Sequence, residues 1–398
     1  MKYSSTSSSD LPQFIFNNRN IEEIRVTFMS FGSLDEDYWE MLTAAFQLND
    51  TIKTAIFSYS GRSMGQERFD PQLVRLVGGL ANGSMEKLLF RNMSLGDNGI
   101  ALVCKMLCRS SSIREFELVN CSNQDRQITA VGAECLASLL RESNTLEKLK
   151  LDCSFSDQPY FIGNQGAIAI ASAIINRRAK TKNLTLDTCN IGDTGAIVLC
   201  GLLDLPKIGM EALSLNGNPF GFSVSKAFAK ALSKNDRLRV LELGCPREGE
   251  NTAAETELHL LFFNSLETNY VLRRLSLPYA PGAHTLEEGQ KKYHALCRLS
   301  KVNHTIIDIS ALGNNYHFFD DTMRIPNKKH PILASTMKHA PFPANLLKDM
   351  SGGILANALA RADCVAGIDG VFSLLRQVSD EIGGGSDNAD QKKRGREE

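Results

Sequence analysis

Residues 181–203 read TKNLTLDTCNIGDTGAIVLCGLL, and their pattern of apolar, polar and glycine positions recurs along the chain. The clearest other copies are MEKLLFRNMSLGDNGIALVCKML at 85–107 and MEALSLNGNPFGFSVSKAFAKAL at 210–232. Each copy opens with apolar residues that alternate with polar ones, the pattern of a strand with one buried face. A glycine-bearing turn follows, and then an apolar run typical of a helix packed against a sheet. The motif therefore predicts one strand and one helix per unit.

Aligning the chain on the pattern apolar-x-x-apolar-x-apolar gives ten such units. Successive units begin 28 to 35 residues apart, which is the period of a strand-plus-helix repeat. Repeats of this kind stack on their neighbours and share one elongated core. The predicted units begin at Ile21, Ile52, Met85, Ile113, Leu146, Thr181, Met210, Leu238, Leu272 and Ile306.

Small or polar residues stand where each predicted strand ends. Asn218, Cys121 and Cys189 occupy this turn position in three units, and Cys153 and Cys245 lie at or beside it in two others. Their side chains are suited to satisfy backbone groups that the strand leaves unpaired. The turns LGDNG, IGNQG and IGDTG come next, and we expect their Asp or Asn to cap the helix that follows in the same unit.

The units from Met85, Leu146, Thr181 and Met210 resemble the ribonuclease-inhibitor class of leucine-rich repeats. The resemblance covers roughly residues 21–314. It implies an α/β leucine-rich-repeat solenoid, a horseshoe of about ten repeats with a concave parallel β-sheet and convex helices. It specifies fold more than function, because that family includes inhibitors, GTPase activators, innate sensors and scaffolds.

The chain divides into four predicted regions. Residues 1–20 form a polar N-terminal leader or cap, and residues 21–314 form the solenoid. The open end of a solenoid needs covering, and the helix periodicity within 315–378 predicts a C-terminal helical cap there. Residues 379–398 have glycine and charge without an apolar anchor, which predicts a disordered tail.

Charge and cysteine usage limit the partners and the compartment. Lys and Arg number 44 against 45 for Asp and Glu, so no net field attracts nucleic acid or an anionic membrane. The first twenty residues lack the apolar stretch of a secretory signal, and we find no apolar run long enough to span a membrane. Ten cysteines without CxxC pairs suit a reducing compartment. We therefore expect a cytoplasmic protein, and the KKRGR run in the tail leaves a nuclear location open.

The sequence predicts no chemistry of its own. Its seven histidines form neither HExxH nor a zinc-spaced cluster with cysteine. Cys104 and Cys108 share a helical face, but their apolar neighbours favour packing over metal binding. No GxxxxGK[ST] or GxSxG string is present. We accordingly expect no catalytic residue, metal, cofactor or small-molecule substrate.

The residues expected to face outward from the strands are the candidate binding surface. They are the third, fifth and seventh of each unit, and their charge alternates between neighbouring strands. Two interpretations stay open at this point: cross-strand ion pairs, or a banded surface that selects a partner by complementary charge. In the first interpretation Lys87 and Arg91 meet Glu115 and Glu117, which in turn meet Lys148 and Lys150. The candidates on this concave face are Lys87, Arg91, Glu115, Glu117, Lys148, Lys150, Asp152 and Asp187.

Aromatic residues on the loops that rim the concave face are candidate anchors, because aromatic side chains are enriched at the centres of interfaces. Packing beneath the loops is the alternative. The predicted function is a non-enzymatic interaction module or scaffold that binds a protein partner on its concave face and rim loops. The alternative is a regulator of a partner enzyme, such as a GTPase activator of the leucine-rich-repeat type. The candidate rim residues are Tyr160, Phe161, Phe222, Tyr279, Tyr316 and Phe318.

Overall fold

The described residues all lie within Met1–Arg324, the first of the two units into which the chain divides. The predicted cap at 315–378 and the predicted tail at 379–398 lie outside the described residues and stay predictions. A computed structural model describes residues 2–6, 10–28, 35–60, 71–81, 83–121, 127–153, 160–176, 181–243, 252–278, 291–292, 294–295, 298–299, 302–303, 305–306 and 308–312.

The described strands form a single parallel sheet of eleven strands, and their order in the sheet follows their order in the chain. This arrangement requires each strand to pair with the next one along the sequence, as stacked repeats do. The strands are β1 (Lys2–Thr6), β2 (Glu23–Phe28), β3 (Thr54–Tyr59), β4 (Lys87–Arg91), β5 (Glu115–Val119), β6 (Lys148–Asp152), β7 (Asn183–Asp187), β8 (Ala212–Leu215), β9 (Val240–Leu243), β10 (Arg274–Pro278) and β11 (Asp308–Leu312).

Helices alternate with the strands, and consecutive helices pack against one another from α1 to α9. A short 3-10 helix, Leu202–Asp204, follows α7 directly. The helices are α1 (Leu11–Asn17), α2 (Glu36–Leu48), α3 (Pro71–Ala81), α4 (Gly96–Leu107), α5 (Ala130–Glu142), α6 (Gly163–Asn176), α7 (Asp193–Gly201), α8 (Phe222–Leu232) and α9 (Thr252–Leu266).

The repeats predicted from the sequence coincide with the strands. Each predicted unit begins two residues before a strand, from Ile21 before β2 to Ile306 before β11. The predicted leucine-rich-repeat solenoid, with its parallel sheet and alternating helices, is confirmed. One strand and one helix, β1 and α1, lie within residues 1–20, where the sequence predicted neither. The strand β1 pairs with β2, and whether residues 1–20 act as a cap stays a prediction.

The core lies between the sheet and the helices and continues from repeat to repeat. In β7, Leu184 and Leu186 are buried, whereas Asn183 and Thr185 are only half-buried. Towards the N-terminus the same layer is aromatic, and the rings of Phe57 and Phe90 stack with centroids 5.8 Å apart. The alternation within each strand thus gives the sheet one face on the core and one face outside it.

Asn218 confirms the predicted role of the turn position. Its Oδ1 accepts hydrogen bonds from the backbone N–H groups of Cys189 and Ile191, both at 3.0 Å. Its Nδ2 donates to the carbonyls of Leu186 at 2.7 Å and Leu215 at 2.9 Å. One buried amide therefore satisfies backbone groups of two neighbouring repeats.

The acidic or amide side chain of each glycine turn caps the helix of the next repeat, so the prediction that it caps its own helix was wrong. Asp97 accepts from the N–H groups of Thr129 and Gly132 at the start of α5, at 2.8 and 2.9 Å. Asn164 likewise accepts from the N–H groups of Gly192 and Gly195 at the start of α7. The first N–H groups of a helix have no acceptor within that helix, and here the preceding repeat supplies one.

A second set of polar side chains lies three residues before several predicted unit starts. Asn269 is typical: its Oδ1 accepts from Val271 and Leu272 N–H at 3.0 and 2.9 Å, and its Nδ2 donates to the carbonyls of Leu232 and Asn235. Sequence analysis missed this set, although its signal is a recurring Asn or Ser three residues before the first apolar position. Its members are Asn49, Ser110, Ser143, Asn235, Asn269 and Asn303.

We expect Asn218→Ala to lower the free energy of unfolding by about 3 kcal/mol, because it leaves buried N–H and C=O groups of two repeats unpaired. Urea denaturation followed by circular dichroism measures this. Asn176→Ala, at the exposed end of α6, is the matched control and should change stability by less than about 0.5 kcal/mol. Equal losses in the two variants would contradict the role assigned to Asn218.

Candidate functional site: the outer face of the sheet

Parallel pairing in register places equivalent outward residues of neighbouring strands side by side. Lys87 of β4, Glu115 of β5 and Lys148 of β6 are successive partners, and Glu117 lies beside Lys150. The predicted concave-face residues of β4 to β7 therefore do share one face. We call this face of the sheet, along all of its described strands, the sheet face.

Four of the predicted residues form an ion-pair network on the sheet face. Lys87 Nζ lies 2.7 Å from Glu117 Oε1 and 3.0 Å from Glu115 Oε2. Lys148 Nζ lies 2.7 Å from the same Glu117 oxygen and 3.6 Å from Glu115 Oε2. Two cations thus enclose two carboxylates, and the set has no net charge.

The pKa values of Glu117 and Lys87 both shift in the direction that favours the ionised form. Burial alone would raise the pKa of Glu117, but hydrogen bonds and attraction from Lys148 and Lys87 outweigh it and lower that pKa below its usual value. Burial alone would lower the pKa of Lys87, and its bonds to Glu117 and Glu115 raise it instead. Glu117 and Lys87 therefore both stay charged at neutral pH.

Two predicted cross-strand pairs do not form. Lys150 pairs with Asp152 of its own strand, Nζ to Oδ2 at 3.0 Å, instead of meeting Glu117. Arg91 lies opposite the apolar Val119, and within the described part of the chain it makes no ion pair. The ion-pair interpretation is confirmed for Lys87, Glu115, Glu117 and Lys148 and was wrong for Arg91 and Lys150.

A group of acids lies further along the sheet face, and we call Asp152, Asp187 and Glu242 the acidic cluster. Register pairs Asp152 with Asp187 across β6 and β7. Ser214 Oγ lies 2.6 Å from Asp187 Oδ1 and 3.1 Å from Glu242 Oε2, so it bridges two members. A hydroxyl carries one proton and can donate to only one of these carboxylates at a time.

Asn216 completes the contacts of the acidic cluster. Its backbone N–H donates to Asp187 Oδ1 at 2.9 Å, and its Nδ2 lies 3.3 Å from Glu242 Oε2. Sequence analysis did not select Glu242, although it occupies the same position in its repeat as Glu117. The acidic cluster became visible only once the register was known.

Asp187 has a raised pKa. Burial raises its pKa from 3.8 to about 7, and the charges of Asp152 and Glu242 add to the rise, against the lowering by hydrogen bonds from Ser214 and Asn216. Near neutral pH the Asp187 carboxyl is therefore present in both its protonated and its ionised form. An added cation would favour its ionised form.

Two of the predicted aromatic anchors are buried and are corrected here. Tyr160 is fully buried, and its Oη accepts a hydrogen bond from Cys121 N–H at 3.0 Å. Tyr160 thus satisfies the backbone N–H of Cys121, as Asn218 satisfies that of Cys189. Phe222 begins α8 and is 5% exposed, so it packs in the core.

The remaining aromatic candidates have different outcomes. Phe161 is 38% exposed and stays a candidate anchor. Tyr279, Tyr316 and Phe318 lie outside the described residues and stay predictions.

The turn cysteines are buried thiols rather than nucleophiles. Burial raises the pKa of Cys121 to about 12 and that of Cys189 well above its usual value, so both stay protonated at neutral pH. Cys245 lies outside the described residues. In the part of the chain that the structure covers, no group of His, Cys, Asp or Glu side chains is arranged to hold a metal ion.

The stacked strand-and-helix units define a leucine-rich-repeat protein, and comparisons with known proteins agree. Ribonuclease inhibitor of Mus musculus is 27% identical over 166 residues, which are 41% of this chain and 34% of that protein. Leucine-rich repeat-containing protein 73 of Homo sapiens is 26% identical over 198 residues, which are 48% of this chain and 57% of that protein. The predicted resemblance to leucine-rich-repeat proteins of the ribonuclease-inhibitor-like class is therefore confirmed.

Other comparisons add little to this identification. No family model matches the chain. The chain spans about a third of the ribonuclease inhibitors that it matches, 34% for the mouse protein. Among solved structures, that of leiomodin-1 actin-binding site 2 is similar with a TM-score of 0.31 and 17% identity, over 42% of this chain and 88% of that one. Of the helices that the structure describes, none has the length and apolar character needed to cross a bilayer.

We expect Asp187→Asn to change the pH dependence of stability. The folded chain holds the Asp187 proton up to about pH 7, whereas the ordinary pKa is 3.8, so the folded state binds more protons in this window. The contribution of Asp187 to the free energy of unfolding of the wild type is therefore complete below pH 3.8 and is lost as the pH rises to about 7. Asp187→Asn should gain about 2 kcal/mol over wild type between pH 5 and pH 8.

Urea denaturation at the two pH values measures this gain. Asp236→Asn is the control, because the Asp236 side chain is 78% exposed and should show no such gain. A stability difference between Asp187→Asn and wild type that is the same at both pH values would contradict the raised pKa of Asp187.

Proposed function

We propose that this chain is a non-enzymatic binding module that holds a protein partner on its sheet face. The observation that carries the proposal is the sheet face itself, on which polar and charged side chains of consecutive strands lie side by side in register. Such a surface offers many hydrogen-bonding groups, unlike the apolar face of the sheet that packs on the core. The likeness to ribonuclease inhibitor, a protein named for its action on another protein, supports the same proposal.

The two ends of the sheet face have different roles in this proposal. The ion-pair network around Glu117 is neutralised internally, so it positions strands β4 to β6 and has little charge left for a partner. The acidic cluster is different, because Asp187 and Glu242 form no ion pair with a lysine or arginine among the described residues. Phe161, which lies just before α6 and is 38% exposed, is the rim residue that we retain in the proposed contact area. No observation favours the alternative of a GTPase activator, which stays a prediction.

Blocking the centre of the sheet face tests the proposal. Thr185 lies between Lys150 and Ser214 in register, and Thr185→Arg adds a long side chain there. Thr194→Arg makes the same change at an exposed position of α7, on the helix side. We expect Thr185→Arg to weaken binding of the protein partner at least tenfold and Thr194→Arg to leave it unchanged.

Affinity capture with wild type and both variants first identifies proteins whose recovery depends on the sheet face. Titration calorimetry with the purified partner then measures the dissociation constants, and circular dichroism checks that both variants fold. If folded Thr185→Arg bound every captured protein as tightly as wild type did, the sheet face would not be the binding surface.

A further inference from the structure

Two members of the acidic cluster have no cationic partner within the described part of the chain. Lys150 neutralises Asp152. Among the described residues, no lysine or arginine forms an ion pair with Asp187 or Glu242. A buried carboxyl without a counter-ion is costly to ionise, so this part of the sheet face favours an incoming positive group.

Unpartnered polar atoms lie beside these two acids. Ser276 is paired in register with Glu242, and its neighbours Leu275 and Leu277 face the core, so Ser276 lies on the sheet face. Ser276 is 4% exposed, and its Oγ is buried without a hydrogen-bond partner among the described residues. Asn216 Oδ1 is in the same condition, on the amide whose Nδ2 reaches Glu242. Leaving such atoms without partners is unfavourable, and a ligand that donates hydrogen bonds would relieve it.

The geometry points to a guanidinium group as the ligand. Asp187, Glu242, Asn216 Oδ1 and Ser276 Oγ all can accept hydrogen bonds, and they belong to adjacent strands from β7 to β10 or the turn that follows β8. No group of three or more His, Cys, Asp or Glu side chains within the described residues is arranged to hold a metal ion. A guanidinium carries one positive charge spread over five N–H donors in a plane, so it can donate to several acceptors at once.

We propose that Asp187, Glu242, Asn216 and Ser276 form a subsite for an arginine side chain of the protein partner. The inference rests on the proposed function and adds the chemistry of one contact to it. Arginine is suited to the site because its planar fork binds carboxylates through paired hydrogen bonds. The raised pKa of Asp187 is consistent with this role, since perturbed acids collect at binding sites.

Binding of a guanidinium is measurable without the partner. The probe is N-acetyl-L-arginine amide, and the matched control is N-acetyl-L-citrulline amide, which has nearly the same shape without the charge. The full chain is labelled with ¹³C at Asp and Glu carboxyls, and the Asp187 signal is assigned by its absence in Asp187→Asn. Its pKa is measured by NMR with each probe at constant ionic strength, together with N-acetyl-L-lysine amide and calcium chloride arms.

We expect the arginine probe to lower the Asp187 pKa by about one unit, a tenfold shift towards the ionised form, and citrulline to leave it unchanged. Glu242→Gln should remove most of this shift, whereas Glu257→Gln, at an exposed position of α9, should not. The arginine and citrulline arms on the wild-type chain decide the matter even if a variant fails to fold. An absent shift, or an equal shift with citrulline, lysine amide or calcium, would overturn the arginine subsite.

These outcomes are separable from those of the proposed function. Loss of partner binding in Thr185→Arg without a probe shift would leave the binding surface standing and remove only the subsite. A probe shift with unchanged partner binding in Thr185→Arg would retain a guanidinium site and remove the sheet face as the partner surface.

Discussion

Hydrogen bonds from the polar side chains of one repeat to the backbone of its neighbour are the interaction on which the structure depends. Stacking many short strands and helices creates turns and helix ends whose N–H and C=O groups have no partner inside their own unit. Asn218, Asp97 and Asn269 each supply those partners across a boundary between repeats. Apolar burial drives the stacking, and these amides and carboxylates fix which atoms must meet.

The register that follows from this stacking decides the electrostatics of the sheet face. Because strands pair in register, a charge at a given position of one repeat meets the same position of the next. Where the charges of neighbouring repeats are opposite, as for Lys87, Glu115 and Lys148, the surface is neutral. Where they have the same sign, as for Asp152 and Asp187, burial and repulsion act together and retain a proton near neutral pH.

The sequence predicted the strands well because their signal is local. A buried residue recurs two positions before β2 to β11, and the pattern is complete within each unit. It did not predict β1, because Lys2–Thr6 has the serines and threonines of a polar segment and gains its order from pairing with β2. Nor could it show that Tyr160 is buried, since that depends on Cys121 of the preceding repeat.

The candidate site was only half predictable for the same reason. Lys87, Glu115, Glu117 and Lys148 follow from position counting within adjacent units. The acidic cluster depends on Ser214, whose hydroxyl lies between carboxylates of the repeats on either side, and a count within one unit cannot show this.

Capping across repeats also constrains how the chain can gain or lose units in evolution. The turn of one unit carries the acceptor for the helix of the following unit, as Asp97 does for α5, while Asn218 reaches back to the unit before it. A duplicated unit is therefore compatible only where its outgoing acceptor finds N–H donors and its returning amide finds both N–H donors and carbonyl acceptors. Tandem duplication of a whole unit meets this condition, because each copy forms the same junction that its parent formed. Insertion of an unrelated unit does not.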